Sequence, residues 1–105
     1  MSHDARYPVN EVLGMIIRDP LLSTADWYGF GSFFNGADVF SDIDLLAVCD
    51  TLDAAVQIRR ASTVFCSLWP IHMLIMTRDE GSETDFIISE ECKPLLVAGI
   101  AIQLC

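Results

Sequence analysis

Positive charge is scarce in this sequence. Lysine and arginine together number 6 against 15 aspartate and glutamate residues, which gives a net charge of -9 at pH 7. Binding to nucleic acid without sequence preference requires clustered cations that replace counterions along the phosphate backbone. Anionic membrane surfaces attract proteins through the same cations. The composition therefore argues against both kinds of partner.

Long apolar runs and paired cysteines are also missing. The longest apolar run, residues 94–102, is interrupted by Gly99, whereas a membrane span needs about 20 residues. Residues 1–6 lack a cationic start followed by an apolar core, so we expect no signal peptide. The four cysteines show neither CxxC nor zinc-ligand spacing: Cys49, Cys66, Cys92 and Cys105. We expect three buried thiols and a C-terminal one, in the reducing cytoplasm.

What the sequence does contain is enough apolar material for one folded domain. The chain has 105 residues, of which 52% are hydrophobic and 20% charged, and this length predicts a single domain over residues 1–105. The apolar share exceeds the usual 45–50% or so, while a small domain exposes much surface for its volume. We therefore expect apolar surface that a second subunit or a partner covers.

Hydrophobic periodicity predicts an alternation of helices and strands. Strand patterns and helix patterns follow one another through the chain: helix 9–18, strand 26–30, a helical turn at 32–36, a loop at 37–41, strand 43–49, helix 52–65, strand 71–77, helix 79–91 and a final strand 94–104, for which a short helix is the alternative. In helix 52–65 a stripe of Ala55, Ile58, Ser62 and Phe65 is expected to face the core. The order predicts an α/β (α+β) domain.

One stretch combines a glycine turn with a pair of carboxylates. Gly31-Ser32 follows the first strand, and after nine further residues come Asp42-Ile43-Asp44 at the head of an apolar strand. Residues two apart face the same side of a strand, so the two carboxylates project together and repel each other unless a cation lies between them. Oxygen ligands suit Mg²⁺ or Mn²⁺. Backbone N–H groups at the glycine turn and the serine hydroxyl suit phosphate, and the two together suit a nucleoside triphosphate.

This motif resembles that of the nucleotidyltransferase superfamily, which includes DNA polymerase beta and kanamycin nucleotidyltransferase. Over residues 9–77 the chain looks most like the minimal nucleotidyltransferases of bacteria and archaea. The resemblance implies a mixed sheet with packed helices, and transfer of a nucleoside monophosphate from a triphosphate such as ATP to a hydroxyl of a protein, RNA or small molecule. It implies phosphate contacts at Gly31 and Ser32 and divalent metal ions at Asp42 and Asp44. Some members of this size are antitoxins that act on a small helical toxin.

The sequence departs from the family pattern in the third strand. Active members carry a third carboxylate there, and the residue present is His72, a poor Mg²⁺ ligand. Three interpretations follow: His72 acts as a general base, an acid from Asp79, Glu80 or Glu83 folds back into the site, or His72 is a satisfied sheet residue in a protein that no longer catalyses. The chain is accordingly an enzyme, a nucleotidyltransferase-fold binding module or an acidic structural subunit unrelated to nucleotides.

Other side chains near the motif have two interpretations each. The aromatic residues of the first strand either stack on a base or belong to the core, and we prefer the core: Trp27, Tyr28 and Phe30. Phe33 and Phe34 either line a nucleotide pocket or pack the short helix against the domain. Arg78 either reaches a triphosphate or is solvated. Asp38, in the loop before the carboxylate pair, is a candidate to support that pair. The acids of 79–85 predict a solvated helix face.

Overall fold

The computed structural model describes residues 7–34 and 42–102. Within those residues five helices, a short 3₁₀ helix at Leu22–Thr24 and five strands follow one another. The helices are α1 (Tyr7–Arg18), α2 (Gly31–Phe34), α3 (Leu52–Leu68), α4 (Arg78–Thr84) and α5 (Phe86–Ser89). The strands are β1 (Asp26–Phe30), β2 (Ile43–Cys49), β3 (Ile71–Thr77), β4 (Lys93–Val97) and β5 (Ile100–Ala101). The predicted loop at 37–41, Asp38 and Cys105 lie outside the described residues.

The strands form one mixed sheet in the order β3-β2-β1-β4-β5. β2 and β3 are parallel, whereas β1 is antiparallel to both β2 and β4. The parallel pair is joined through α3, because parallel strands need a long crossover connection. The predicted mixed sheet with helices packed against it is confirmed, and strands β1, β2 and β3 begin and end at the predicted residues.

The two faces of the sheet differ in how well they are covered. Trp27, Leu45 and other odd-numbered strand residues pack against α1 and α3 in the larger core, where the Trp27 and Phe65 rings meet edge to face. Even-numbered residues such as Leu46 and Met76 form a smaller cluster with Phe86 and other partly buried residues. Because α4 and α5 contribute no fully buried side chain, the second face is the more open one.

Helix α3 follows the predicted pattern and is longer at its end. The Thr51 side chain accepts a hydrogen bond from the Ala54 N–H at 3.0 Å, which caps the helix. Ile58, Ser62 and Phe65 are buried as predicted, with Ala55 half-buried. The helix runs to Leu68, three residues beyond the predicted 65, and ends before Pro70. The Ser62 hydroxyl donates to the Ile58 carbonyl at 2.6 Å, so it is satisfied within the core.

Two predictions for the last third of the chain were wrong in detail. The helix predicted at 79–91 is split into α4 and α5, because Asp85 adopts a left-handed conformation with φ 55°. The strand predicted at 94–104 is a hairpin of β4 and β5, and its turn residues Ala98 and Gly99 both have positive φ, as a type I′ turn requires.

Of the three thiols expected to be buried, Cys49 is buried while Cys66 and Cys92 are half-buried.

None of the helices within residues 7–34 and 42–102 has both the length and the apolar character that a membrane crossing requires.

Candidate functional site

The glycine turn and the carboxylate pair of the motif meet at one end of the sheet. In the antiparallel register of β1 and β2, Phe30 lies opposite Asp44. The end of β1 and the start of β2 are therefore neighbours, although 13 residues separate Phe30 from Asp44. Gly31 begins α2 immediately after β1. This arrangement brings the two halves of the motif together, as phosphate and metal binding at one site would require.

Gly31 lies against the carboxylate of Asp44. Its φ is 79°, a left-handed conformation that favours glycine, and a Cβ built at this position would collide with Asp44 Oδ2. Glycine is therefore required here both by the backbone conformation and by the close approach. The contact also fixes where the Asp44 carboxylate stands relative to the first turn of α2.

His72 is the other neighbour of Asp44. The parallel register of β2 and β3 places the two residues side by side, and His72 Nδ1 lies 3.0 Å from Asp44 Oδ1. An ionised carboxylate only accepts hydrogen bonds, so Nδ1 carries the proton and donates. Nε2 is then an acceptor in the neutral ring. The His72 side chain is 63% exposed and that of Asp44 21% exposed, so the pair opens to solvent on the less covered face.

The remaining predicted site residues are placed as follows. Asp42 is exposed and directly precedes β2. The backbone of Ser32 lies in α2, and the side chains of Ser32 and Phe33 are outside what the structure describes. The acids that one of the three interpretations folds back into the site belong to α4, which begins where β3 ends, whereas His72 lies near the start of β3. Glu80 accepts the Thr77 N–H in a capping box at that far end. The fold-back interpretation is therefore wrong for Glu80.

Asp42 and Asp44 are carboxylates, which are among the ligands that Mg²⁺ takes in proteins. This ion is usually bound through one or two carboxylates, several waters and substrate phosphates, and not by a complete protein cage. Asp42 and Asp44 supply the carboxylates, and both reach solvent. In the described part of the chain, no three His, Cys, Asp or Glu side chains are grouped so that they hold a metal by themselves. The residues therefore fit an ion shared with a triphosphate and do not fit a structural metal centre.

The aromatic residues of the first strand are mostly structural. Trp27 is fully buried and its Nε1 donates to the Leu22 carbonyl at 2.8 Å. Phe30 is buried and stacks edge to face on Phe86. The core interpretation is therefore confirmed for these two rings, while Tyr28 is half-buried. The Phe34 ring fills the space that a side chain at Gly29 would occupy, so it seats α2 on the strand.

Arg78 forms a polar cluster with Asp26 and Asp50 at the opposite end of the sheet. Its Nη1 donates to Asp26 Oδ2 and its Nε donates to Asp50 Oδ1, both at 2.6 Å. These bonds raise the pKa of Arg78 further above its usual range. The Arg78 side chain is 46% exposed, so it is solvated as predicted, and it is also paired with the two aspartates. Beside it a cavity of about 400 Å³ is lined by Tyr28, Asp85, Ile87 and others.

The positions of Asp26, Asp50 and Arg78 relative to the strands are the sequence signal for this cluster. Asp26 opens β1 and Asp50 follows β2, so antiparallel pairing brings both to the same end of the sheet. Arg78 follows β3, which is parallel to β2 and ends at that same level. The positions of these three residues relative to the strand ends were sufficient to predict the contact once the strand order was known.

Comparison of the chain with protein-family models, with curated proteins and with solved structures returns no match. The resemblance to nucleotidyltransferases rests on the sequence motif.

Proposed function

We propose that the protein is a Mg²⁺-dependent nucleotidyltransferase that moves a nucleoside monophosphate from a triphosphate, ATP in the first instance, to a hydroxyl acceptor. The observation that carries the proposal is that two predicted residues, Gly31 and His72, meet at the carboxylate of a third, Asp44. Asp44 contacts the glycine turn through Oδ2 and His72 through Oδ1. A phosphate-binding turn, a metal-binding carboxylate and a candidate base are the parts that such a transfer needs.

The phosphates of the triphosphate would contact the turn at Gly31 and Ser32. Backbone N–H groups at such a turn are not all used within the chain, and they attract anions. Asp42 and Asp44 would hold Mg²⁺ through their carboxylates. When bound, the ion would neutralise phosphate charge and orient the triphosphate for in-line attack.

His72 would receive the acceptor's proton. With Nδ1 donating to Asp44, the neutral ring presents Nε2 as the basic nitrogen. The acceptor oxygen attacks the α-phosphorus, its proton passes to Nε2, and the bond from the α-phosphorus to the bridging oxygen breaks. The products are the nucleotidylated acceptor and pyrophosphate. Asp44 holds the ring in the required tautomer, as a carboxylate does in other acid–base pairs.

A binding module without transfer activity is the second candidate. The same hydrogen bond favours it, because His72 stands where a third carboxylate is expected and occupies one oxygen of Asp44. In this case the domain binds a nucleotide or a protein partner, a small helical toxin among them, and does not turn over. For either candidate we propose a cytoplasmic location, in keeping with the free thiols of Cys49, Cys66 and Cys92.

Label transfer distinguishes the two candidates. The protein is incubated with Mg²⁺ and ATP labelled at the α-phosphate, alone and with protein, RNA and small-molecule acceptors. We expect labelled product with the wild type and its loss in Asp42→Asn and Asp44→Asn, while Asp53→Asn in the exposed first turn of α3 remains active. Transfer that survives both motif substitutions contradicts the assigned site. Metal-dependent binding without transfer supports the binding module.

His72→Ala tests the role of the histidine. We expect transfer to fall by about two to four orders of magnitude, the range that a general base contributes, with nucleotide affinity less affected. His72→Gln retains a side-chain donor toward Asp44 without a basic nitrogen, so it is expected to be as inactive as His72→Ala. Full activity in either variant removes the base from the mechanism.

A further inference from the structure

Strand β3 is an edge of the sheet. Within the described residues it pairs only with β2, and its far side has no strand partner. The opposite edge is β5, which is two residues long, whereas β3 has seven. An edge strand of this length presents a row of unpaired N–H and C=O groups. The two edges are therefore unequal, and β3 is the one that offers a template for pairing.

The backbone pattern identifies which groups point outward. The Ile43 N–H donates to the Pro70 carbonyl at 2.9 Å, and bonds in a parallel pair then recur at every second residue. Even-numbered peptide groups of β3 consequently face β2, and those of Met73 and Ile75 face away. At the strand ends the Ile71 and Thr77 N–H groups are already bonded, to Trp69 and Glu80.

The side chains of β3 carry none of the usual protection of an edge. The segment Ile71–Thr77 reads IHMLIMT and contains no lysine, no acid and no proline. Natural edge strands discourage pairing by such residues or by a bulge, and the register of β3 with β2 is regular. Ile71, Met73, Leu74 and Ile75 are only half-buried, although β2 beside them is almost completely buried.

We propose that β3 pairs with β3 of a second copy of this chain, antiparallel, around a two-fold axis at Leu74. In this register Met73 lies opposite the partner's Ile75, and Ile75 lies opposite the partner's Met73. The outward peptide groups of both residues then exchange hydrogen bonds across the axis. On the other face His72 lies opposite the partner's Met76, so no charged side chains of like sign are opposed.

A second copy is favoured over another protein because the strand is complementary to itself. Apolar residues meet apolar residues at every central position of the register, and each copy supplies the groups that the other lacks. The net charge of -9 opposes association of two copies, but none of that charge lies on β3. The inference does not depend on the proposed enzymatic activity.

Helix α3 supplies further apolar surface at this edge. It packs on the same face as the odd-numbered residues of β3, and four of its apolar residues are at least half-exposed: Leu52, Val56, Val64 and Leu68. Helical periodicity places the first two on one flank and the last two on the other. Because the two-fold axis is perpendicular to the sheet, the α3 helices of the two copies lie on the same face of the extended sheet. The flank of α3 that faces the partner therefore adds a pair of exposed apolar residues beside the strand interface.

Sedimentation velocity and light scattering test the dimer. We expect the wild type to have twice the chain mass of 11.6 kDa at micromolar concentration. Ile75→Pro removes an outward N–H without removing a bond to β2, a change that edge strands tolerate, and it is expected to give a folded monomer by circular dichroism. A monomeric wild type, or a folded Ile75→Pro variant that remains a dimer, overturns the proposal.

Cross-linking tests the register without weakening the interface. In a background with Cys66, Cys92 and Cys105 replaced by serine, Leu74→Cys is compared with Met73→Cys. Opposed Leu74 positions have Cα atoms about 4.5 Å apart, within disulfide range, whereas the two Met73 positions are diagonal at about 7–8 Å. We expect a covalent dimer from Leu74→Cys alone. Equal cross-linking of both variants, or none from Leu74→Cys, contradicts the two-fold axis.

Discussion

Gly31 connects the backbone of the turn to the chemistry of the candidate site. Its left-handed φ and its contact with Asp44 are separate requirements, and each excludes a side chain for its own reason. A second glycine, Gly99, has nearly the same φ of 77° and no neighbour within 4 Å of where a Cβ would stand. Comparing substitutions at the two positions therefore separates the effect of the contact with Asp44 from the effect of the backbone conformation.

We therefore predict that Gly31→Ala disrupts the site far more than Gly99→Ala. Both variants carry the strain of alanine at positive φ, about 1 kcal/mol, while Gly31→Ala also forces the Asp44 carboxylate to move, which adds about 1–3 kcal/mol of overpacking. Chemical denaturation measures the free energy of unfolding, and nucleotide binding is measured beside it. Equal losses of stability in the two variants contradict the close approach.

The thiols provide a second test at the scale of residues. Burial raises the pKa of Cys49, Cys66 and Cys92, although a hydrogen bond with Thr51 partly offsets the effect at Cys49. A raised pKa means less thiolate at any given pH, and thiolate is the reactive form. We predict slow alkylation by iodoacetamide at pH 8 in the folded protein and fast alkylation in urea. Peptide-resolved mass spectrometry measures each site, and rapid labelling of folded Cys49 contradicts its burial.

At the scale of elements, Arg78 joins β1, the end of β2 and the start of α4. Its two partners differ in environment, because the Asp26 side chain is 14% exposed and that of Asp50 is 76% exposed. Asp26 also accepts the Ala98 N–H at 3.0 Å and so connects β1 to the β4–β5 turn. The loss of Asp26 removes the partner of Arg78 Nη1 and of the Ala98 N–H, while Arg78 Nε keeps its bond to Asp50.

We predict that Asp26→Ala destabilises the protein more than Asp50→Ala. The expected losses are about 1–3 kcal/mol for Asp26, whose bonds are partly shielded from water, and below about 1 kcal/mol for Asp50, which lies on the surface. Thermal and urea denaturation of the two variants measure the difference. A larger loss for Asp50→Ala contradicts this account of how the cluster holds the elements together.

The elements also show what sequence could and could not predict. The bounds of β1, β2 and β3 could be predicted from the sequence, because runs of alternating or continuous apolar residues are typical of buried strands. The division of α4 from α5 depends on one residue, Asp85, in a left-handed conformation that aspartate tolerates without a local sequence signal. The motif predicted that the glycine turn and Asp44 lie together, as Gly31 and Asp44 do. The bond between Asp44 and His72 depends on the order and register of the strands, which no local pattern records.

For the whole molecule, the acidic charge and the uneven covering of the sheet have separate consequences. The face with Asp44 and His72 is the more open one, and a dimer through β3 would place both sites on that same side. The charge of -9 on each copy is repulsive. Because no charge lies in the β3 interface, added salt screens the repulsion without weakening a specific ion pair.

We therefore predict that dimerisation strengthens as salt concentration rises. The dissociation constant from sedimentation equilibrium is expected to fall several-fold between 20 mM and 500 mM NaCl, over which the Debye length shortens from roughly 20 Å to roughly 4 Å. Chloride and acetate salts are compared to separate screening from specific ion binding. Dissociation that increases with salt indicates an interface held by ion pairs and contradicts pairing through β3.

The central claim is that Asp44 is the centre of a metal–nucleotide site. Isothermal titration calorimetry with an ATP analogue that resists cleavage at the α-phosphate, with and without Mg²⁺, measures it directly. We expect Mg²⁺-dependent binding by the wild type and by Asp53→Asn, an exposed acid in the first turn of α3. We expect at least about a tenfold loss in Asp44→Asn, because replacing even the outer-shell partners of metal ligands typically costs about that much. Binding of equal affinity in Asp44→Asn, or no Mg²⁺-dependent binding by the wild type, contradicts the account.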